Sequence, residues 1–321
     1  MAALVAPNLP KTMRAAIVNE FHKPYQIQDS YPRPEVVDGH DIVIRVAAAS
    51  FCHTDIMVLD GQFSRSPKQH AGSHEPTGTI VSLGADAAAL GFKLGDRIAA
   101  LGWRGLCGEC VDCKGPIEKR YYCRFMKGYV GTTLPGAFSD FTVVDARYAV
   151  VLPDTMSFVT TAPLTCAGAT AWRAVQSTKA QPGEWIGMVG SGGGLAIGDD
   201  KIKATVVLSD HDTACDTACA ITRPHGTIIQ VAQPQRVSFP FRAIIFKDLH
   251  FEGSLVSGQK ELEDMIHFVL KHKIRVKTNI YEGLGSVNLV VDAAHSGKVS
   301  GKLVVVLDRA AVEADKAKDC W

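Results

Sequence analysis

The feature that most limits this fold is a connection too short for the motif that precedes it. Glu184–Leu195 reads EWIGMVGSGGGL, an apolar run of strand length entering a glycine cluster. Glycine admits positive φ and lets backbone N–H groups come close to a phosphate. Gly190, Gly192, Gly193 and Gly194 therefore suggest the first strand-to-helix turn of a dinucleotide-binding unit. The next residues are AIGDDKI, with no amphipathic period and a Gly-Asp-Asp turn signal, and a second strand candidate, Lys203–Leu208, follows at once. A crossover between parallel strands needs about a dozen residues or more. The helix that should present its N-terminus to the pyrophosphate does not fit in this space.

Composition sets the bounds. The chain of 321 residues is long enough for two domains, and its formal charge of +1 argues against nucleic acid or an anionic membrane as a partner. No apolar run approaches the ~18 residues of a spanning helix. The start, MAALVAPNLPKTMRAA, lacks the basic and long apolar regions of a signal peptide, so the cytoplasm is the expected compartment. There, nine cysteines are metal ligands or buried thiols before they are disulfides.

Residues 13–160 carry short β-branched or alternating runs at Met13–Val18, Asp41–Ala48, Thr77–Leu83, Arg97–Leu101, Ala137–Val144 and Tyr148–Leu152, and these predict a rolled antiparallel sheet. Residues 161–280 predict an α/β unit. It has a helix over Ala162–Gln176, the glycine-rich strand, and a helix through Asp212–Thr222 that Ser209-Asp210 caps and His225-Gly226 ends. A strand over Thr227–Ala232 and an amphipathic helix over Lys260–Lys271 complete it. The last residues predict a strand at Lys302–Leu307 and a frayed charged tail.

Cys107, Cys110, Cys113 and Cys123 lie close enough in sequence to surround Zn²⁺ as four thiolates, the closed set of a structural site. The glycines between them suit a tight loop with N–H groups turned toward sulfur. Cys52, His74 and Cys166 could form a three-ligand site with an open position, although their spacing alone does not group them.

CHTD at 52–55, SHEPTG at 73–78, the four-cysteine lobe, Gly95-Asp96-Arg97, PLTCAGAT at 163–170 and GSGGGL at 190–195 together resemble the motif set of zinc-dependent medium-chain alcohol dehydrogenases, in their fungal, yeast-type branch. The resemblance covers nearly the whole chain. It implies a GroES-like rolled β catalytic domain over 1–160, completed by 281–321, and a reduced Rossmann-type parallel-sheet domain over 161–280. Cys52, His74 and Cys166 would hold a catalytic zinc. Thr54 would pass the alcohol proton outward, Asp55 would orient His74, and Glu75 would sit behind the metal. His53 and Lys302 would face the pyrophosphate of a bound NAD, Thr170 would pack by the nicotinamide, and Trp103 would line the substrate pocket or the core. The implied substrate is a small alcohol or aldehyde, and the implied assembly a homodimer or homotetramer.

The chain departs from that family at four places. Roughly fifty residues are missing after the glycine loop, judged against the ~30 residues of each βαβ unit. They include the acid that holds the ribose; Asp210 falls at the right distance in sequence but aligns with a later strand end. Met57 replaces a relay histidine, Ser73 replaces a glycine, and two extra residues precede Cys123. The expected activity is hydride transfer between a small alcohol or aldehyde and a nicotinamide. The alternative is a catalytically inactive, zinc-stabilised remnant.

Overall fold

The computed structural model describes residues 3–63, 69–190 and 201–317. They divide into two compact units, one of residues 1–168 and 257–321, the other of residues 169–256.

The first unit is built on an eight-stranded sheet. Its path runs Ala149–Val151, Arg97–Ala100, Glu75–Leu83, Asp41–Phe51, Lys302–Val306, Thr278–Glu282, with Leu4–Val5 added to Glu75–Leu83 and Phe141–Asp145 to Asp41–Phe51. Every pairing is antiparallel except that of Thr278–Glu282 with Lys302–Val306. A three-stranded sheet, Gln26–Pro32, Thr12–Val18 and His70–Ala71, accompanies it. The predicted rolled β architecture is present. Its core gathers Ile42, Ile44, Ile80, Ile98, Phe138 and Val305, all at most 1 % exposed. Asp41–Phe51 is buried on both faces: Ile42 and Ile44 enter this cluster while Val43 joins Val81, Phe141 and Val143 in another.

Two expectations for this unit are corrected. The tail after Lys302–Val306 is not frayed where it is described: Arg309–Ala317 is a helix. Asp315, which reads as a solvent charge, is 2 % exposed. It accepts from Arg97 Nη2 at 2.7 Å and from the Phe158 N–H at 2.9 Å. The strand expected over Ala137–Val144 begins only at Phe141. Gly136, Ala137 and Phe138 instead donate their N–H groups to the carbonyls of Ala71, Ser73 and Gly72.

The second unit is a four-stranded, all-parallel sheet in the order Trp185–Val189, Ile202–Val207, Thr222–Gln230, His250–Gly253. The glycine-rich strand and the strand after the AIGDDKI segment are parallel neighbours, as the reduced sheet requires. Trp185–Val189 is an edge strand, with Trp185 52 % exposed. Gly190 ends it at φ +94°, and a Cβ there would come within 2.7 Å of Ser209. The left-handed backbone and the close approach both call for glycine. Gly192, Gly193 and Gly194 lie outside the described residues.

Helix boundaries here differ from those read in sequence. The helix expected over Asp212–Thr222 runs Ala214–Ile221, and Thr213, not Ser209-Asp210, precedes it. His225-Gly226 does not end it: the strand starts at Thr222 and passes through His225 at φ +61°. Paired hydroxyls of Thr205 and Thr222, 2.7 Å apart and buried, hold the start of that strand to its neighbour. The helix expected over Ala162–Gln176 is broken at Cys166, between a 3₁₀ turn at Ala162–Thr165 and a helix at Ala167–Ser177.

Candidate metal centre

Strand register assembles the candidate site. Asp41–Phe51 and Glu75–Leu83 are antiparallel neighbours with Ser50 opposite Glu75. The residue leaving the first strand, Cys52, therefore stands beside the residue entering the second, His74. Lys302–Val306 pairs on the other side with Leu303 opposite Phe51, which brings Lys302 to the same end. Cys166 joins at the break between the 3₁₀ turn and its helix. That turn region is fixed by the Thr77 hydroxyl, bonded to the carbonyls of Ala48 at 3.1 Å and Phe158 at 3.0 Å. One ligand atom from each of Cys52, His74, Glu75 and Cys166 lies within 4.8 Å of the others.

Asp55 ties the two ligand loops. It is fully buried on the helix His53–Leu59. Its Oδ2 accepts the Cys52 N–H at 2.8 Å and its Oδ1 the Ser73 N–H at 3.0 Å. Oδ1 is also 3.6 Å from His74 Nδ1. Burial opposes charge on His74, but Asp55 and Cys52 together outweigh it and raise the imidazole well above its usual value. Ser73 sits at φ +64°, where L side chains are disfavoured. Its hydroxyl compensates by donating to the Ser50 carbonyl at 2.9 Å. The side chain thus bonds to the neighbouring strand rather than crowding the ligand.

Cys52 and Cys166 share a hydrogen bond between sulfurs, and it favours a thiolate on Cys52 and a thiol on Cys166. Glu75 is fully buried, and burial raises its pKa to about 7 against the pull of Lys302. The Lys302 ammonium donates to the Phe51 carbonyl at 2.9 Å and to Glu75 at 3.3 Å. His53 and Lys302 together line a cavity of about 260 Å³ with Phe51, Cys52, Ile56 and Leu303. Thr54 Oγ1 is 4.0 Å from Cys52 Sγ. Trp103 is a core residue as well as a neighbour of the site: it is buried, and its Nε1 donates to the Ser257 carbonyl at 3.1 Å. Thr170 lies on Ala167–Ser177, in the other compact unit. Asp210 lines a separate cavity in that unit with His211, Asp212 and Arg236.

The donor set fits a zinc ion. Both ring nitrogens of His74 are buried without a hydrogen-bond partner among the described residues, a costly state that a metal on one nitrogen relieves. Two sulfurs with one imidazole suit zinc by softness and number. Cys107, Cys110, Cys113 and Cys123 form a second cluster, again within 4.8 Å. The N–H groups of Glu109 and Cys110 each point to Cys107 Sγ at 3.4 Å, and with their neighbours lower its pKa to about 6. The 3₁₀ turn Ile117–Tyr122 takes up the long last spacing.

Residues 38–154 match the alcohol dehydrogenase GroES-like domain family. An alcohol dehydrogenase of Geobacillus stearothermophilus is 26 % identical over 345 residues, covering 92 % of this chain and 100 % of the relative. The chain is a homologue of the medium-chain alcohol dehydrogenases. Alcohol dehydrogenase 2 of Emericella nidulans is 32 % identical over 199 residues, 60 % of this chain and 52 % of that protein. Among solved structures, acetophenone reductase of Geotrichum candidum in complex with NAD superposes with a TM-score of 0.82 at 17 % identity, over 94 % of this chain and 99 % of the other. At that identity the likeness speaks for the fold, an alcohol dehydrogenase fold of GroES-like and Rossmann-type parts. No helix among the described residues is long and apolar enough to cross a membrane.

Reading the sequence missed three residues that shape this candidate site. Gly131 and Gly136 sit where any Cβ would collide with the Ser73 and Gly72 backbone, so they let the 131–138 segment pack directly behind His74. Tyr129 places its ring 5.6 Å from that of His74. The spacing of Gly128, Gly131 and Gly136 was a signal of close backbone approach around that tyrosine.

Proposed function

We propose that this alcohol dehydrogenase homologue is a zinc-dependent oxidoreductase acting on a small alcohol or aldehyde with a nicotinamide cofactor. The observation that carries the reading is the convergence of Cys52, His74 and Cys166, with Glu75, within 4.8 Å. When bound, zinc supplies Lewis-acid polarisation of the substrate oxygen and the nicotinamide exchanges the hydride.

The remaining work falls to the chain. Asp55 fixes the imidazole orientation of His74 and the backbone of Cys52. The Thr54 hydroxyl takes up the alcohol proton and passes it to water, because a thioether at Met57 cannot carry a proton further. Lys302 and His53 present cationic and hydrogen-bonding groups to the cavity beside Cys52, suited to a pyrophosphate. Cys107, Cys110, Cys113 and Cys123 hold a second, structural zinc. We assign the catalytic part to the first compact unit, residues 1–168 and 257–321, which takes in the helix Gln259–Lys271 expected in the nucleotide part, and a shortened nucleotide part to residues 169–256, in a cytoplasmic protein.

One observation favours the second reading, a metal-stabilised protein without turnover. The sequence joins Trp185–Val189 to its parallel neighbour Ile202–Val207 through GSGGGLAIGDDK, which carries no amphipathic period. An alignment of 345 positions that takes in 92 % of a 321-residue chain also leaves the relative with stretches that have no counterpart here. Titration of the zinc-loaded protein with NADH, read by fluorescence, separates the two. Saturable binding supports the oxidoreductase. Two zinc per chain without NADH binding supports the remnant.

A further inference from the structure

The backbone of Tyr129 is held on every side while the far end of its side chain is not. It stands on the two-residue strand Gly128–Tyr129, paired with Trp103–Arg104. Its N–H donates to Thr133 Oγ1 at 2.8 Å. Its carbonyl accepts the N–H groups of Thr132, Thr133 and Leu134 at 3.2, 3.0 and 3.1 Å. The ring meets Trp103 edge to face at 4.6 Å and lies 5.6 Å from the His74 ring. Gly102 makes room for the tip of the phenol: a Cβ there would fall 2.6 Å from the ring. Yet the hydroxyl is buried and has no hydrogen-bond partner among the described residues. A fixed side chain that ends in an unmet donor beside a metal-ligand set has the form of a ligand-binding group.

The neighbouring Trp103 cannot take this place, because its N–H is committed to the Ser257 carbonyl. A tyrosine phenol ordinarily keeps its proton at neutral pH, so it is a donor here.

We propose that the Tyr129 hydroxyl donates a hydrogen bond to the oxygen of the alcohol or carbonyl substrate at the Cys52–His74–Cys166 centre. This orients the oxygen, and it rests on the metal-dependent reading above. Substrates whose oxygen is a good acceptor gain from it, while Thr54 remains free to handle the proton.

The test compares wild type with Tyr129→Phe, loaded with Co²⁺ and titrated with trifluoroethanol, using the cobalt visible absorption as the readout. The expected result is about tenfold weaker trifluoroethanol binding in the variant, the worth of one hydrogen bond. Metal-free Tyr129→Phe should be at least as heat-stable as wild type, because the deleted hydroxyl had no partner to lose. Equal trifluoroethanol binding, no response of wild-type cobalt bands to trifluoroethanol, or a lower melting temperature of the metal-free variant would each overturn the assignment. Absence of thiolate-ligated cobalt bands in wild type would instead sink the metal-site reading on which it stands.

Discussion

Asp55→Asn is the substitution that bears hardest on the geometry of the metal centre. The carboxylate is fully buried and accepts two backbone N–H groups, from Cys52 at 2.8 Å and from Ser73 at 3.0 Å. Hydrogen bonds to a charged group contribute about 1.5–3 kcal/mol each. Asparagine keeps one acceptor oxygen, with its charge gone, and turns an NH₂ toward the other N–H. One bond is lost and the second weakened, so metal-free Asp55→Asn should unfold about 3 kcal/mol more easily in urea. The same change frees the His74 ring, whose Nδ1 lies 3.6 Å from Asp55. Zinc affinity at this centre should then fall about 10–100-fold in chelator competition. The four-cysteine lobe should keep its metal. If the variant stays within about 0.5 kcal/mol of wild type and holds both metals as tightly, the view that this carboxylate joins the two ligand loops is wrong.

Gly136→Ala should force the Ser73–His74 backbone to shift, since its Cβ meets only backbone atoms. The overpacking costs about 1–3 kcal/mol, and bound zinc should drop by one per chain on elemental analysis. Asp315→Asn should destabilise by about 3–5 kcal/mol in urea, because it strips a buried partner from Arg97, 2.7 Å away, on a helix that binds the chain end to the sheet. Glu184 accepts from the Gln181 N–H, Lys203 and Arg223, which hold its pKa down from 4.5 to about 2. A depressed carboxylate contributes stability that is complete above its unfolded pKa and is lost as pH falls through the folded one. Wild type should therefore lose stability between about pH 4.5 and pH 2 more steeply than Glu184→Gln, as followed by circular dichroism.

How much of this was legible in the sequence varies by residue. The four-cysteine lobe was, because its ligands are close in the chain and short loops alone bring them together. The centre at Cys52, His74 and Cys166 was not, from spacing. Its assembly depends on the pairing of Ser50 with Glu75, a long-range register that local pattern does not carry, and only the joint resemblance of several motifs pointed to it. The parallel pairing of Trp185–Val189 with Ile202–Val207 was not legible from length, which spoke against a crossover there; it followed only from the reduced parallel sheet that the resemblance implied. The tail helix was missed because Asp315 looks solvated until Arg97 is placed opposite it. His225-Gly226 misled as a helix stop, since the strand absorbs a residue at positive φ there. Tyr129 carried no chemical pattern of its own, only glycines around it.

The most direct measurement is the zinc content of the purified chain and of Cys166→Ser, by elemental analysis after removal of loosely bound metal. The arrangement of sulfurs and imidazole predicts two zinc per wild-type chain and one in the variant. A wild-type chain with one zinc or none, or a variant that still carries two, would contradict the claim that Cys52, His74 and Cys166 form a metal centre.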